Sequence, residues 1–195
     1  MSLYPYKPDF GQRIQDVSGL PLDRSFIAHQ TWGTPAALAG SAVLSGTALG
    51  TAAITVTTLT LATLDYPRNL TVIGVGTATA GTVAITGTNI LDATISENIV
   101  LNGTVTVAGS AAFKTITQAV LPAQVAAVGT ARIGYGDKLG LKATLAHNTV
   151  IAASLNNVRE ATAPTVAVNA TSIHYNTVLL SSALDGTDVD VYYLL

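Results

Sequence analysis

Three histidines, His29, His147 and His174, are the chain's whole supply of imidazole, and cysteine is absent. A thiolate nucleophile, a thiolate metal site and a disulfide are therefore excluded. None of the histidines stands at metal-ligand spacing from another or from a pair of carboxylates. Ser96, Ser110, Ser154 and Ser181 lie outside any nucleophile-elbow pattern, and no His-carboxylate relay can be assembled from their spacing. Asp185-Gly186-Thr187-Asp188-Val189-Asp190 has the oxygen-rich look of a calcium loop. It lacks the bidentate Glu that closes such a loop, Asp188 and Asp190 continue into a strand-like alternation, and Asp185-Gly186 is ordinary turn chemistry. Gly134-Tyr135-Gly136-Asp137 is not followed by a helix, so it reads as a turn and not as a phosphate cradle. No catalytic residue, metal ligand or cofactor is assigned, and the chain is not expected to be an enzyme.

Glu97, His174 and Asn176 carry structural expectations. Glu97 falls in the same phase as Ile95, Ile99 and Leu101 and should point inward as a structural charge. A buried carboxylate needs a partner, for which Arg68, Lys114 and Arg132 are the candidates; alternatively Glu97 guards a strand end against edge pairing. His174 and Asn176 fall in the outward phase of a strand over 172–180 whose inward residues would be Ile173, Tyr175 and Leu179, which makes His174 a surface or interface histidine.

The elements that must position these residues follow from composition and period. Of 195 residues 49% are hydrophobic but only 10% charged, against roughly a quarter in ordinary soluble chains, with Thr, Ala, Gly, Ser and Asn filling the gap. The surface is unusually neutral. A net charge of -2 cannot drive counterion release from a polyanion, so nucleic acid is not an expected partner. Residues 36–64 contain no charged side chain, but glycines interrupt the first half and the second interleaves Thr with Ile, Val and Leu, which suits a strand better than a membrane helix. No membrane partner is expected. The first ten residues lack a basic stretch followed by an apolar run, so no secretory leader is expected and the chain should mature where it is made, in the cytoplasm.

Residues 1–35 hold Pro5, Pro8, Pro21 and Pro35 and the aromatics Tyr4, Tyr6, Phe10, Phe26 and Trp32, without lasting periodicity. They are expected to form an extended N-terminal arm whose aromatics anchor it on a neighbouring subunit. Residues 36–195 should form one all-β domain, an antiparallel sandwich or barrel of jelly-roll-like kind. Strands are expected at 53–64, 69–75, 82–86, 94–101, 104–107, 112–121, 130–133, 139–145, 150–155, 165–169, 172–180 and 187–195. The phase slip at Thr57-Thr58 suggests a β-bulge. Asn102-Gly103 is the strongest hairpin signal and Asn156-Asn157 a weaker turn. In the closing strand Val189, Val191, Tyr193 and Leu195 share one face, opposite Asp188, Asp190 and Tyr192. Residues 36–38 and 124–128 could each form about one helical turn. The Gly-Thr dipeptides recur at irregular intervals, so a solenoid is not supported.

Between Asp65 and Leu141 the order of motifs resembles tailed-bacteriophage virion proteins of the capsid decoration, or cement, type. The residues that carry the likeness are Pro67-Arg68-Asn69-Leu70-Thr71-Val72, Ile85-Thr86-Gly87-Thr88-Asn89, Glu97 with Leu101-Asn102-Gly103-Thr104, Ala112-Phe113-Lys114-Thr115, Leu121-Pro122 and Gly136-Asp137-Lys138-Leu139-Gly140-Leu141. The resemblance implies a homo-oligomer, with a trimer favoured, that sits on the major capsid protein at the virion surface and stabilises the assembled shell by adding interface area. The competing class is a head or tail fibre attachment module, an adhesive β-domain that binds carbohydrate. Sugar recognition wants exposed aromatic platforms, and the single Trp32 lies in the arm segment. An ice-binding surface on Thr55-Val56-Thr57 and Thr58-Leu59-Thr60 lacks the periodic repetition it would need.

Overall fold

A computed structural model describes residues 26–126 and 129–195, together with the backbone of two short strands at 14–15 and 21–22. The strands in chain order are β1 (Ile14–Gln15), β2 (Pro21–Leu22), β3 (Ile27–Trp32), β4 (Ala39–Ala48), β5 (Ile54–Val56), β6 (Thr63–Val75), β7 (Ala80–Thr88), β8 (Thr94–Asn102), β9 (Val107–Leu121), β10 (Thr130–Gly140), β11 (Val150–Leu155), β12 (Val158–Arg159), β13 (Thr165–Ala167), β14 (Thr177–Leu179) and β15 (Val189–Leu194). A single 3-10 turn, Ile173–Tyr175, is the one helical element among the described residues.

The fold is all-β, with antiparallel sheets packed against one another as in a sandwich. A nine-stranded sheet runs β13-β14-β10-β6-β9-β7-β8, with β4 added on β10 and β5 on β9. It curls so that β8 lies over β6 and β9 without pairing to either. Inside this curl Val43, Leu70, Val72, Val83, Ile85, Ile99, Phe113, Leu121 and Ile133 form the first core. The strands that supply it are rich in Val, Ile and Thr, whose branched side chains pack well on a pleated surface. A four-stranded sheet, β12-β11-β15-β3, covers the far end of β10 and β14. Between the two layers lies a second core of Trp32, Leu139, Leu141, Val178, Leu184, Val189, Val191 and Tyr193.

Several expectations are corrected by this architecture. The segment 1–35 is not an arm throughout, because β3 is hydrogen-bonded along β15 in unbroken register from Val189↔Trp32 to Leu194↔Ile27. Trp32 is 2% exposed in the second core, so it anchors its own domain and not a neighbour. The reason is period: in Ile27–Trp32 the alternation exposed, half-buried, exposed, buried, exposed, buried is that of a half-covered strand, too short to stand out beside the flanking prolines. The run 53–64 is not one strand; β5 ends at Val56, and the Thr57-Thr58 slip marks the strand's end and not a bulge. Of the 104–107 run only Val107 is in a strand; it opens one long strand, β9, that also holds 112–121. Only Leu139 and Gly140 of the 139–145 run are strand, as the last residues of β10.

The two turn signals exchange ranks. Asn156 and Asn157 both have positive φ, 51° and 60°, and form the two-residue turn between β11 and β12 that requires this. At Asn102-Gly103 only Gly103 has positive φ, 53°, and β8 and β9 are not ladder partners. Asn176 is fully buried, because the 3-10 turn at Ile173–Tyr175 breaks the two-residue alternation on which an outward position was inferred. Leu195 is exposed while Val189, Val191 and Tyr193 face inward as expected from their phase. No helical turn forms at 36–38 or at 124–126.

Candidate functional site

The polar side chains that the sequence singles out converge on the junction between the two layers. Arg68, on β6, is fully buried. Its Nε donates to the Gly136 carbonyl at 2.7 Å, its Nη1 to the Ala36 carbonyl at 2.9 Å and to Asp65 Oδ2 at 3.1 Å, and its Nη2 reaches Asp137 Oδ1 at 3.5 Å. The guanidinium lies 4.4 Å above the Tyr135 ring centre. Burial raises the Asp137 carboxyl above its ordinary value, and the Arg68 charge pulls it back. The register of β10 on β6 shifts between Tyr135 and Leu139, and Arg68 and Asn69 hold that irregularity. Asn69 Oδ1 accepts the Lys138 amide at 3.0 Å, while Asn69 Nδ2 and Lys138 Nζ both donate to the Gly109 carbonyl. Pro67-Arg68-Asn69 and Gly136-Asp137-Lys138, distant in sequence, are thus one contact in space.

Glu97 points inward from β8, but its partners are amides and not a cation. Its Oε1 accepts from the Ser110 amide at 2.6 Å and the Ala111 amide at 3.2 Å, where β9 departs from regular pairing with β6. Lys114 instead pairs with Asp92 at 2.7 Å, and Arg68 with Asp65 and Asp137. Changing Glu97→Ala removes the acceptor for both amides and should cost about 1–3 kcal/mol in urea unfolding. Glu97→Gln, which keeps an acceptor oxygen, should cost less.

The remaining candidates are dispersed. His29 Nε2 lies 2.7 Å from Asp190 Oδ1 on the outer face of the four-stranded sheet, its ring stacked at 4.4 Å on Tyr192. His147 is exposed in the loop after β10, and His174 is half-buried in the 3-10 turn, where burial lowers its pKa and Glu97 opposes the shift. Asp185 accepts from the Thr187 amide and hydroxyl, which closes a side-chain turn. Among the described residues no three of His, Cys, Asp and Glu gather as a metal-binding group. Among the described residues no serine is bonded to a histidine; Ser181 donates to Glu160. Phe26 is half-exposed at the start of β3, its backbone exchanging two hydrogen bonds with Leu195. Tyr4, Tyr6 and Phe10 lie outside the described residues.

Sequence reasoning missed Gln30 and Asn176. Gln30, 3% exposed, links Gly140, Lys142 and Tyr193; Asn176 binds Leu145, Asn169 and Ser172. Neither has a one-dimensional signal: Gln30 serves groups more than a hundred residues away, and Asn176 ties its own preceding loop to Leu145.

At the opposite end of the curled sheet is a surface of another kind. Four segments meet there: the one leading into β5, the β6–β7 turn, the β8–β9 turn and the stretch after β9. Gly103 accepts from the Gly74 amide at 3.0 Å and donates to the Thr79 carbonyl at 2.9 Å. The Gln124 amide donates to Gly50 at 2.8 Å, and the Gln124 side chain exchanges two bonds with the backbone of Ala80. Gly129, at φ 69°, comes so close to β6 that a Cβ would lie 2.1 Å from the Val75 carbonyl oxygen. The backbone amides of Gly74, Gly103 and Gln124 are thus paired across segments at this pole. No Asp, Glu, Lys or Arg occurs in 36–64, 69–91, 98–113 or 115–131, so none of these segments contributes a charge to it. Val105 and Val125, at 56% and 104% exposure, stand out from it, with Val75 and Ala78 beside them.

No helix among the described residues is long and apolar enough to cross a membrane. No protein-family model, no curated protein and no solved structure matches this chain.

Proposed function

We propose that the protein is a non-enzymatic structural component of a virion, a decoration protein that docks on the major capsid protein of the assembled shell and reinforces it as a homo-oligomer, for which the resemblance favours a trimer. The observation that carries this reading is the pole where the four uncharged segments meet. Removing a charge from water costs several kcal/mol unless it is paired, so a face built of Val, Ala, Thr and Gly backbone is inexpensive to cover. Interface centres are depleted of charge in the same way. Every copy that binds the assembled shell and not its free subunits stabilises the shell by mass action. In this reading the protein is made in the host cytoplasm and ends on the capsid surface.

The test is co-sedimentation with empty expanded shells of the major capsid protein encoded by the same genome. Native protein should pellet with the shells. Val105→Asp/Val125→Asp should remain folded and weaken binding by at least about 2 kcal/mol, because two desolvated carboxylates enter the contact. Unchanged binding by that variant would remove the pole from the mechanism. The adhesive, carbohydrate-binding reading has one observation in its favour, the exposed Tyr192 ring beside His29 and Asp190, but His29 covers one face of that ring.

A further inference from the structure

The four-stranded sheet ends on β3, and the pairing of that strand fixes which of its backbone groups are used. Phe26 and Leu195 exchange both hydrogen bonds, so in an antiparallel ladder Ala28, Gln30 and Trp32 also turn their amides and carbonyls toward β15. Those of Ile27, His29 and Thr31 therefore point away from the sheet. No described residue bonds to them, and the three side chains are exposed.

Among the described residues the other edges of the nine-stranded and four-stranded sheets are blunted. β12 has two residues, and β5 and β13 have three each. β4 runs in broken register on β10, and its Val43 carbonyl is taken by the Thr60 amide. β8 carries the inward Glu97. Short strands, irregular pairing and inward charges are the usual defences against edge-to-edge association. β3 has none: six residues in regular register, with no Lys, Arg, Asp, Glu or Pro.

We propose that the β3 edge is a self-association surface whose partner is the same edge of a second copy, paired antiparallel about a two-fold axis at His29. The alternation is self-complementary about that residue. His29 meets His29 of the second copy, and Ile27 meets Thr31 of the second copy on each side of the axis, with two backbone bonds exchanged at each pair. The Ile27–Thr31 contacts are β-branched pairs of the kind that stabilise neighbouring strands. Each imidazole is held over its own sheet by Asp190 and Tyr192. Two four-stranded sheets become one of eight strands. This surface goes beyond the shell-docking reading and does not depend on it, and its symmetry requires a dimer or a multiple of two where the resemblance favours a trimer.

The test is sedimentation velocity on the full chain with two variants that differ at one position. Ile27→Lys/Thr31→Lys places like charges opposite each other across the axis and should weaken self-association roughly tenfold or more; Ile27→Lys/Thr31→Glu places opposite charges there and should restore it. In the native chain, amide exchange at Ile27, His29 and Thr31 should slow as concentration rises through the association range. A native monomer, a native trimer, equal behaviour of the two variants, or exchange at these amides that does not depend on concentration would each overturn the proposal. Neither measurement involves a shell, so failure of shell binding leaves this inference standing and failure of the dimer leaves shell binding to be judged by its own assay.

Discussion

Replacing Arg68 with Met should cost about 3–5 kcal/mol of unfolding free energy, enough to threaten the fold. The guanidinium is fully buried and serves two carboxylates, two carbonyls and an aromatic face. Met approximates its length and supplies none of its donors. Asp65 and Asp137 would be left beside an apolar group, and the Ala36 and Gly136 carbonyls would lose their partner. Arg68→Lys should recover only part of the loss, because one ammonium cannot match the planar fork that serves two carboxylates and two carbonyls at once. The control is Lys114→Met. It removes an ion pair whose side chains are 40% and 67% exposed, and exposed pairs contribute at most about 1 kcal/mol. Urea midpoints for the three variants would check the ranking. Equal loss for Arg68→Met and Lys114→Met would mean that the buried Arg68 network contributes no more than an exposed ion pair.

The second large effect concerns Trp32. Trp32→Ala should cost about 3–5 kcal/mol, because the indole fills the core between the sheets and its loss leaves a cavity that rigid strands close only in part. Chain truncation sharpens the point. Deleting residues 1–25 leaves β3 intact and should leave circular dichroism and the thermal midpoint nearly unchanged. Deleting residues 1–32 removes β3 and Trp32 together and should abolish stable folding of the four-stranded sheet. A fold that tolerates the longer deletion as well as the shorter would return β3 to an arm that serves another subunit.

These two predictions also mark where the sequence was legible. Where alternation persists over a long strand it shows the ends closely: the run expected at 94–101 is β8, Thr94–Asn102, and Val189, Val191 and Tyr193 face inward. Glu97 is inward by the same logic. Its partner was misjudged because an irregular stretch of β9, which has no sequence signature, turns two amides toward it. Trp32 was misassigned because prolines and mixed charges around a six-residue strand hide its period. Asn176 was misplaced because a single 3-10 turn reverses the phase after it. The pole is written in the chain as four long uncharged runs, but their meeting at one end of the molecule depends on long-range pairing. Spacing alone could not reveal it.

The central claim is that the protein acts by contact, through that pole. Its most direct test is a reconstruction of shells decorated with the native protein, at a resolution that orients the two sheets. The account predicts Val105 and Val125 against the shell, with the four-stranded sheet facing away from it. Copies seated on the shell through the four-stranded sheet, with the Val105–Val125 pole in solvent, would contradict it.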